Sequence, residues 1–319
     1  MGADGTPDLV RDFVSLGGTI FNCAGGPTPW GTWLSCEETT EGEAHGWRRS
    51  HGYVFEVPVT AEAQIEPVPL HAMGRFVHEA AAVDPATGIV YLTEDTDAAG
   101  FYRFLPAERG QLVAGGKLQM LAIEGKSRFS SRFWNEPGLE LPVRWVDIPD
   151  PDPAVEDLFE SAVFAQGYAG GGAMFSRLEG CWYGNRAVYF QATDGGEARA
   201  GQVWGYRPSD SAGGVLTLIF ESPDRSVLDG PDNLTVSPRG GLLVCEDGAG
   251  EQYLRGLTPD GAIFDFGLNI LNDREFAGAT FSPDGRILFV NIQGDTATGG
   301  PGHLGMTLAI WGPWEAGSL

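Results

Sequence analysis

The sequence predicts an all-β fold, a β-propeller of four-stranded blades, on three observations. Glycine and proline are abundant, 47 and 21 of 319 residues. Helical periodicity is nearly absent, so short strands joined by tight turns are expected. One grammar then repeats five times: a strand, a Pro/Gly turn, and a second strand ending in polar or acidic residues. The repeats recur at about 45 to 55 residues, a spacing typical of propeller blades.

Taken in order, the first unit is FNCAGGPTPWGTWLSCEE (21–38), followed by the strand-like runs YVFEVP and QIEPVPL. The second is HEAAAVDPATGIVYLTED (78–95), with GFYRFLP and KLQMLAI. The third is LEGCWYGNRAVYFQATD (178–194), with GQVWGYRP and VLTLIF. The fourth is PDNLTVSPRGGLLVCED (231–247), with EQYLRGL and AIFDFGL. The fifth, FAGATFSPDGRILFVNI (276–292), has TLAIWGP (307–313) as its third strand. Its fourth strand is expected from DFVSLGGTI (12–20), which would close the ring by pairing the two ends of the chain. The stretch 125–175 breaks the period and reads as an insertion or a degenerate sixth blade. Within it AVEDLFESAVFAQ has helical spacing at Val155, Leu158, Phe159 and Val163. A single propeller domain over 1–319 is expected, as a monomer.

Charge and cysteine usage exclude several functions. The formal net charge is −23 and the only lysines are Lys117 and Lys126, which argues against nucleic acid and anionic membranes. No apolar run approaches the roughly 20 residues of a membrane span. The start MGADGTPDLVRD lacks the basic-then-apolar pattern of an export signal. The four cysteines show no CxxC spacing. Cys23 and Cys36 flank the PTPWG turn almost symmetrically and should face each other across it, a disulfide being one alternative. The GGG at 170–172 is not followed by GK[ST], and no G-x-S-x-G elbow is present.

Propeller geometry gathers the start of every first strand and the end of every second strand at one channel mouth. Those positions carry Asn22, Cys36, Glu37, Glu38, Glu79, Glu94, Asp95, Arg177, Glu179, Asp194, Asp232, Asn233, Glu246, Asp247 and Asn291. So many carboxylates around one mouth repel each other strongly, and bound cations are the simplest remedy. Oxygen ligands suit Ca²⁺ or Mg²⁺, while a thiolate suits iron or zinc.

NCAGGPTPWGTWLSCEE, the GRF-x-HEAAAVDP-x-TG-x-VYLTED run at 74–95, GFYRF at 100–104, PDNL at 231–234 and the late FSPDG resemble the PhoX family of bacterial phosphatases. The resemblance covers roughly 18–124 and 177–312. It implies a propeller whose channel mouth holds an iron–calcium cluster, Ca²⁺ with a pair of Fe³⁺, and which hydrolyses small phosphomonoesters. It puts the iron-bound cysteine at Cys36, further metal ligands at Glu79 and Glu179, the phosphate-binding arginine at Arg177, and the Asp-Asn pair at Asp232 and Asn233. Blade geometry adds Glu37, Glu38, Glu94, Glu246 and Asp247 as ligands. Members of that family are six-bladed and exported, so a periplasmic or extracellular location is implied. Two other readings share the fold: a calcium-dependent propeller esterase or lactonase, and a non-catalytic binding module stabilised by calcium.

Overall fold

The computed structural model describes residues 11–133, 136–154, 161–209, 213–294, 304–317 and 319. Its strands group into five antiparallel meanders. The first holds β1 (Asn22–Pro27), β2 (Thr32–Glu37) and β3 (Val54–Pro58). The second holds β4 (His78–Val83), β5 (Val90–Glu94), β6 (Phe101–Pro106) and β7 (Gly116–Ile123). An added strand, β8 (Glu140–Asp147), and one helix, α1 (Ala162–Ala169), come next. The third meander is β9 (Leu178–Gly184), β10 (Ala187–Ala192), β11 (Gln202–Pro208) and β12 (Gly214–Glu221). The fourth is β13 (Pro231–Val236), β14 (Leu242–Glu246), β15 (Tyr253–Leu257) and β16 (Ile263–Leu268). The fifth is β17 (Phe276–Phe281), β18 (Ile287–Ile292) and β19 (Met306–Trp311).

The first strands stand side by side, β1 against β4, β4 against β9, β9 against β13 and β13 against β17. This is a propeller-like all-β arrangement. Close approach at the centre requires residues without a Cβ. One added at Gly26 would lie 1.8 Å from the Ala81 carbonyl oxygen, and one at Gly180 would lie 2.8 Å from that of Asp232. Between the fifth meander and the first, a cavity of about 440 Å³ remains, with Asn22, Cys23 and Gly25 on one side and Ala277, Gly278 and Asn291 on the other.

The stretch 125–175 supplies one strand and one helix. Strand β8 pairs with β7 on one side and β12 on the other, so it bridges the outer edges of the second and third meanders. Its Trp145 packs on Tyr206 and Tyr91, with Arg103 stacked over the indole at 4.5 Å. Beneath it Phe101 and Phe190 stack at 4.1 Å. This aromatic layer fills the cleft between the two meanders. Helix α1 has Ser161 as its cap, accepting from Phe164 N at 3.0 Å, and Val163 is buried. Val155, Leu158 and Phe159 lie outside the described residues.

The expected closure by the chain ends is corrected among the described residues. Leu16 bridges to Ile65 in parallel, and Ile65 N donates to Ser15 O at 2.9 Å. The 12–20 segment therefore lies along the first meander, while β19 pairs with β18. The run at 65–70 carries enough extended backbone to take that partner locally, with no long closure entropy.

Candidate metal centre

One hydrogen bond recurs in all five meanders. The residue after the second strand donates its N–H to the carbonyl of the residue ahead of the first strand. The pairs are Glu38 to Phe21 (2.9 Å), Asp95 to Val77 (3.1 Å), Thr193 to Arg177 (2.9 Å), Asp247 to Gly230 (2.8 Å) and Gln293 to Glu275 (3.1 Å). A register shift follows in every first hairpin, over 23–26, 78–81, 178–181, 231–234 and 277–280. Such bulges break the strict alternation of a strand and re-aim a side chain. They fall at or beside the second residue of each first strand: Cys23, Glu79, Glu179, Asp232 and Ala277.

Three kinds of position thus converge: the residue ahead of the first strand, its second residue, and the residue after the second strand. They bring together Cys23, Glu38, Glu79, Asp95, Glu179, Asp232, Asp247 and Glu275. Their ligand atoms form four overlapping groups: Cys23–Glu38–Glu79, Glu38–Asp95–Glu179, Glu79–Glu179–Asp232 and Asp232–Asp247–Glu275. Within each group all atoms lie within 4.8 Å of one another. Arg177 borders the cluster, forking to Asp95 at 2.9 and 2.8 Å and reaching Glu179 Oε1 at 3.0 Å. Its side chain remains 45% exposed.

Crowding and burial raise the proton affinity of Glu38, Glu79, Glu179, Asp232 and Glu275. Burial and then Asp95 push Glu38 up to about 8, and burial and then Asp232 push Glu275 up to about 9. Burial lifts Asp232 to about 6 and drives Glu79 and Glu179 well above the carboxylate range. The Cys23 thiol is raised by burial and by Glu79. On Arg177 burial acts downward, but the bond to Asp95 outweighs it and keeps the guanidinium charged.

The donor set fits cations. Glu79 Oε2 and Glu275 Oε2 are buried and have no hydrogen-bond partner. An acceptor left that way costs about 1–3 kcal/mol, and both belong to the cluster. Seven carboxylates and one thiol offer hard oxygen ligands plus a single soft one.

Of the residues the sequence singles out, Glu38, Glu79, Asp95, Glu179, Asp232, Asp247 and Arg177 meet here. Asn233 joins them as a brace. Its amide donates to Glu79 Oε1 at 3.2 Å and Asp232 Oδ1 at 2.8 Å, and its oxygen accepts from Gly278 N at 2.6 Å. Five others are set apart, three of them for one physical reason. Glu37, Glu94 and Glu246 end their strands, one alternation before the mouth position, and each is spent on buried hydrogen bonds. Glu37 accepts from Gly52 N (2.9 Å), Tyr53 N (3.2 Å) and Ile20 N (3.1 Å), with His51 Nδ1 at 2.6 Å. Glu94 accepts from Gly100 N at 2.8 Å, Tyr102 OH at 2.6 Å and the α1 cap Ser161, tying the helix to β5. Glu246 accepts from Asp229 N at 3.0 Å and Arg255 Nε at 2.7 Å. Cys36 is fully buried in an apolar cluster with Leu34, Val54 and Phe76. It is the strand partner of Cys23, and both cysteines are free thiols. Asp194 is occupied by Ser176, Arg132 and Arg199.

Cys23 and Glu275 are not among the ligands that the sequence points to, and at the end of β5 it points to Glu94 rather than to Asp95. Glu275 carries a signal all the same, because it stands at the same repeat position as Arg177. The split between strand-end and mouth acids is directly testable. Glu37→Ala leaves three backbone N–H groups without their acceptor and should cost about 3 kcal/mol or more. That corresponds to a fall in Tm of roughly 6–12 °C. Metal content per folded chain should not change, as elemental mass spectrometry would report. Loss of metal at unchanged Tm would instead make Glu37 a ligand.

A family model described as Alkaline phosphatase PhoX matches residues 3–295. No curated protein sequence matches the chain. Among solved structures, Pseudomonas fluorescens PhoX in complex with vanadate, a transition state analogue, superposes with a TM-score of 0.67. Identity is 21%, over 86% of this chain and 65% of that one. The chain therefore spans about two thirds of that protein's length. A gluconolactonase from Xanthomonas campestris aligns with a TM-score of 0.32 and 16% identity, over 88% of this chain and 90% of its own.

Proposed function

The chain belongs to the alkaline phosphatase PhoX family, and from that premise we propose that it is a metal-dependent phosphoric monoester hydrolase. The observation that carries the reading is the cluster of seven carboxylates and Cys23 beside a half-exposed arginine, with two buried carboxylate oxygens left without partners. That a family member is solved with vanadate as a transition state analogue agrees with phosphoryl chemistry at such a mouth.

Cys23, Glu38 and Glu79 would hold the softer ion, iron, and the other acids would hold calcium. Bound cations would neutralise the phosphate, polarise it and lower the pKa of a water nucleophile. The chain's own residues do the rest. Arg177, with its fork already oriented by Asp95 and Glu179, would bind the equatorial phosphate oxygens as charge builds on them. Asn233 fixes the rotamers of Glu79 and Asp232, so the ligand set is preorganised. No side-chain nucleophile is needed.

Protein purified without chelator should contain iron together with calcium and should hydrolyse p-nitrophenyl phosphate when calcium is supplied. Cys23→Ser and Glu179→Ala should lose metal and activity together. Cys36→Ala should keep both, because its sulfur packs in the core. Calcium without iron, and no turnover of any phosphomonoester at full calcium loading, would overturn the proposal and favour the esterase or scaffold reading. Loss of iron in Cys36→Ala but not in Cys23→Ser would return the thiolate to Cys36.

A further inference from the structure

Phe21 combines two local costs. It is 62% exposed, and its φ is +46°, a left-handed conformation unusual for a residue with a bulky side chain. Its backbone is nevertheless pinned on both sides. Ile20 N donates to Glu37 Oε1 at 3.1 Å, Glu38 N donates to Phe21 O at 2.9 Å, and Asn22 Nδ2 donates to Ser35 Oγ at 2.9 Å. The scaffold therefore holds the Phe21 backbone at a fixed place while most of the residue stays exposed. Strained residues that the surroundings over-determine in this way concentrate at functional sites.

The repeat identifies that place. Phe21 stands ahead of β1 as Arg177 stands ahead of β9 and Glu275 ahead of β17. The same carbonyl bond anchors all three. Arg177 has φ +47°, matching Phe21 within a degree. Arg177 and Glu275 both face the cluster, and the two residues that follow Phe21, Asn22 and Cys23, lie at the mouth and in the cavity beside it. In this position one meander contributes a cation for phosphate and another contributes a benzene ring.

We infer that Phe21 is the specificity-determining wall for the organic half of the ester, and that the site favours aromatic phosphomonoesters over small polar alkyl ones. The inference rests on the phosphatase reading above. With the phosphate held by Arg177 and the cluster, the leaving group projects from the same mouth. A flat aryl group on the exposed ring removes apolar surface of both from water and adds ring-to-ring contact. A glycerol-sized group gains little from it. Because the contact is made in ground and transition states alike, its effect falls mainly on KM.

The test compares kcat/KM for phenyl phosphate and for glycerol 2-phosphate in metal-loaded wild-type protein and in Phe21→Ala, Phe21→Leu and Phe21→Trp, with metal content and Tm read for each. The aryl-to-alkyl ratio should fall about 3- to 10-fold in Phe21→Ala, through the KM of the aryl ester. It should fall less in Phe21→Leu and recover in Phe21→Trp. Tm should hold or rise, since an exposed ring in a left-handed conformation stabilises nothing. An unchanged ratio in Phe21→Ala, in protein that hydrolyses both esters, overturns the inference and leaves the phosphatase reading standing. A fall in Tm with an unchanged ratio makes Phe21 a structural residue and overturns it too. Wild-type protein that hydrolyses neither ester at full metal loading removes the phosphatase reading, and this inference with it.

Discussion

Arg177→Ala is expected to lower kcat on a phosphomonoester by about 10²- to 10³-fold, the usual effect of removing one preorganised donor to a developing oxyanion. Metal content should stay at the wild-type level. Arg177 is bonded to the cluster, forking to Asp95 and touching Glu179. Its side chain is 45% exposed, which leaves guanidinium surface open to a ligand. If the guanidinium acts on the transition state, kcat and kcat/KM fall together. Arg177→Lys should recover little, because an ammonium keeps the charge but cannot present the planar fork. A purely structural role makes the opposite pattern. The guanidinium would then only neutralise Asp95 and Glu179, its loss would reduce metal binding or Tm, and the protein still loaded would turn over normally. That pattern, or a kcat within about threefold of wild type, would end the catalytic assignment.

The fold is legible in the sequence because its repeat is written in turn residues. PTPWG, DPATG, SPRGG and SPDG mark the hairpins, and observed β1–β2, β4–β5, β13–β14 and β17–β18 flank them. At the ends of the second strands the candidate site is legible to within one residue. The sequence offers pairs of candidates at the strand ends: Glu37 and Glu38, Glu94 and Asp95, Glu246 and Asp247. In a strand, neighbouring side chains point to opposite sides, so only one of each pair reaches the mouth. Which one depends on the bulge at the start of the partner strand, and a bulge depends on backbone pairing rather than on residue type. The same ambiguity separates Cys23 from Cys36. Both lie at nearly equal distance from the turn and pair across it, yet Cys23 is grouped with Glu38 and Glu79 and Cys36 lies in the core. The β8 bridge has no sequence signal, because its outer-edge pairing with β7 and β12 follows no repeat.

Stripped of metal, the protein should become less stable as the pH rises, the reverse of what acid-labile carboxylate networks do. Glu38 and Glu275 have folded-state pKa values of about 8 and about 9, against an ordinary value of 4.5. Glu79 and Glu179 are also raised well above it, first by burial and then by Asp232 and Glu38 for Glu79 and by Asp95 and Asp232 for Glu179. Between pH 4.5 and 9 the folded chain therefore binds more protons than the unfolded one. Stability falls with pH wherever that holds. The contribution is complete below the ordinary carboxylate range and is lost as the pH climbs through the raised values. A tenfold difference in proton affinity between the folded and unfolded chain corresponds to about 1.4 kcal/mol. The groups share their repulsion, so the whole loss is on the order of 5 kcal/mol. In chelator, Tm should drop by about 10 °C from about pH 5 to about pH 9. Calcium should reverse the trend, since cations displace the protons these acids retain and bind better as protons leave. The gap between calcium-loaded and chelated Tm should then widen with pH. Parallel curves would mean that the cluster does not exchange protons for metal, and would remove the physical basis on which the cluster is read as a metal centre.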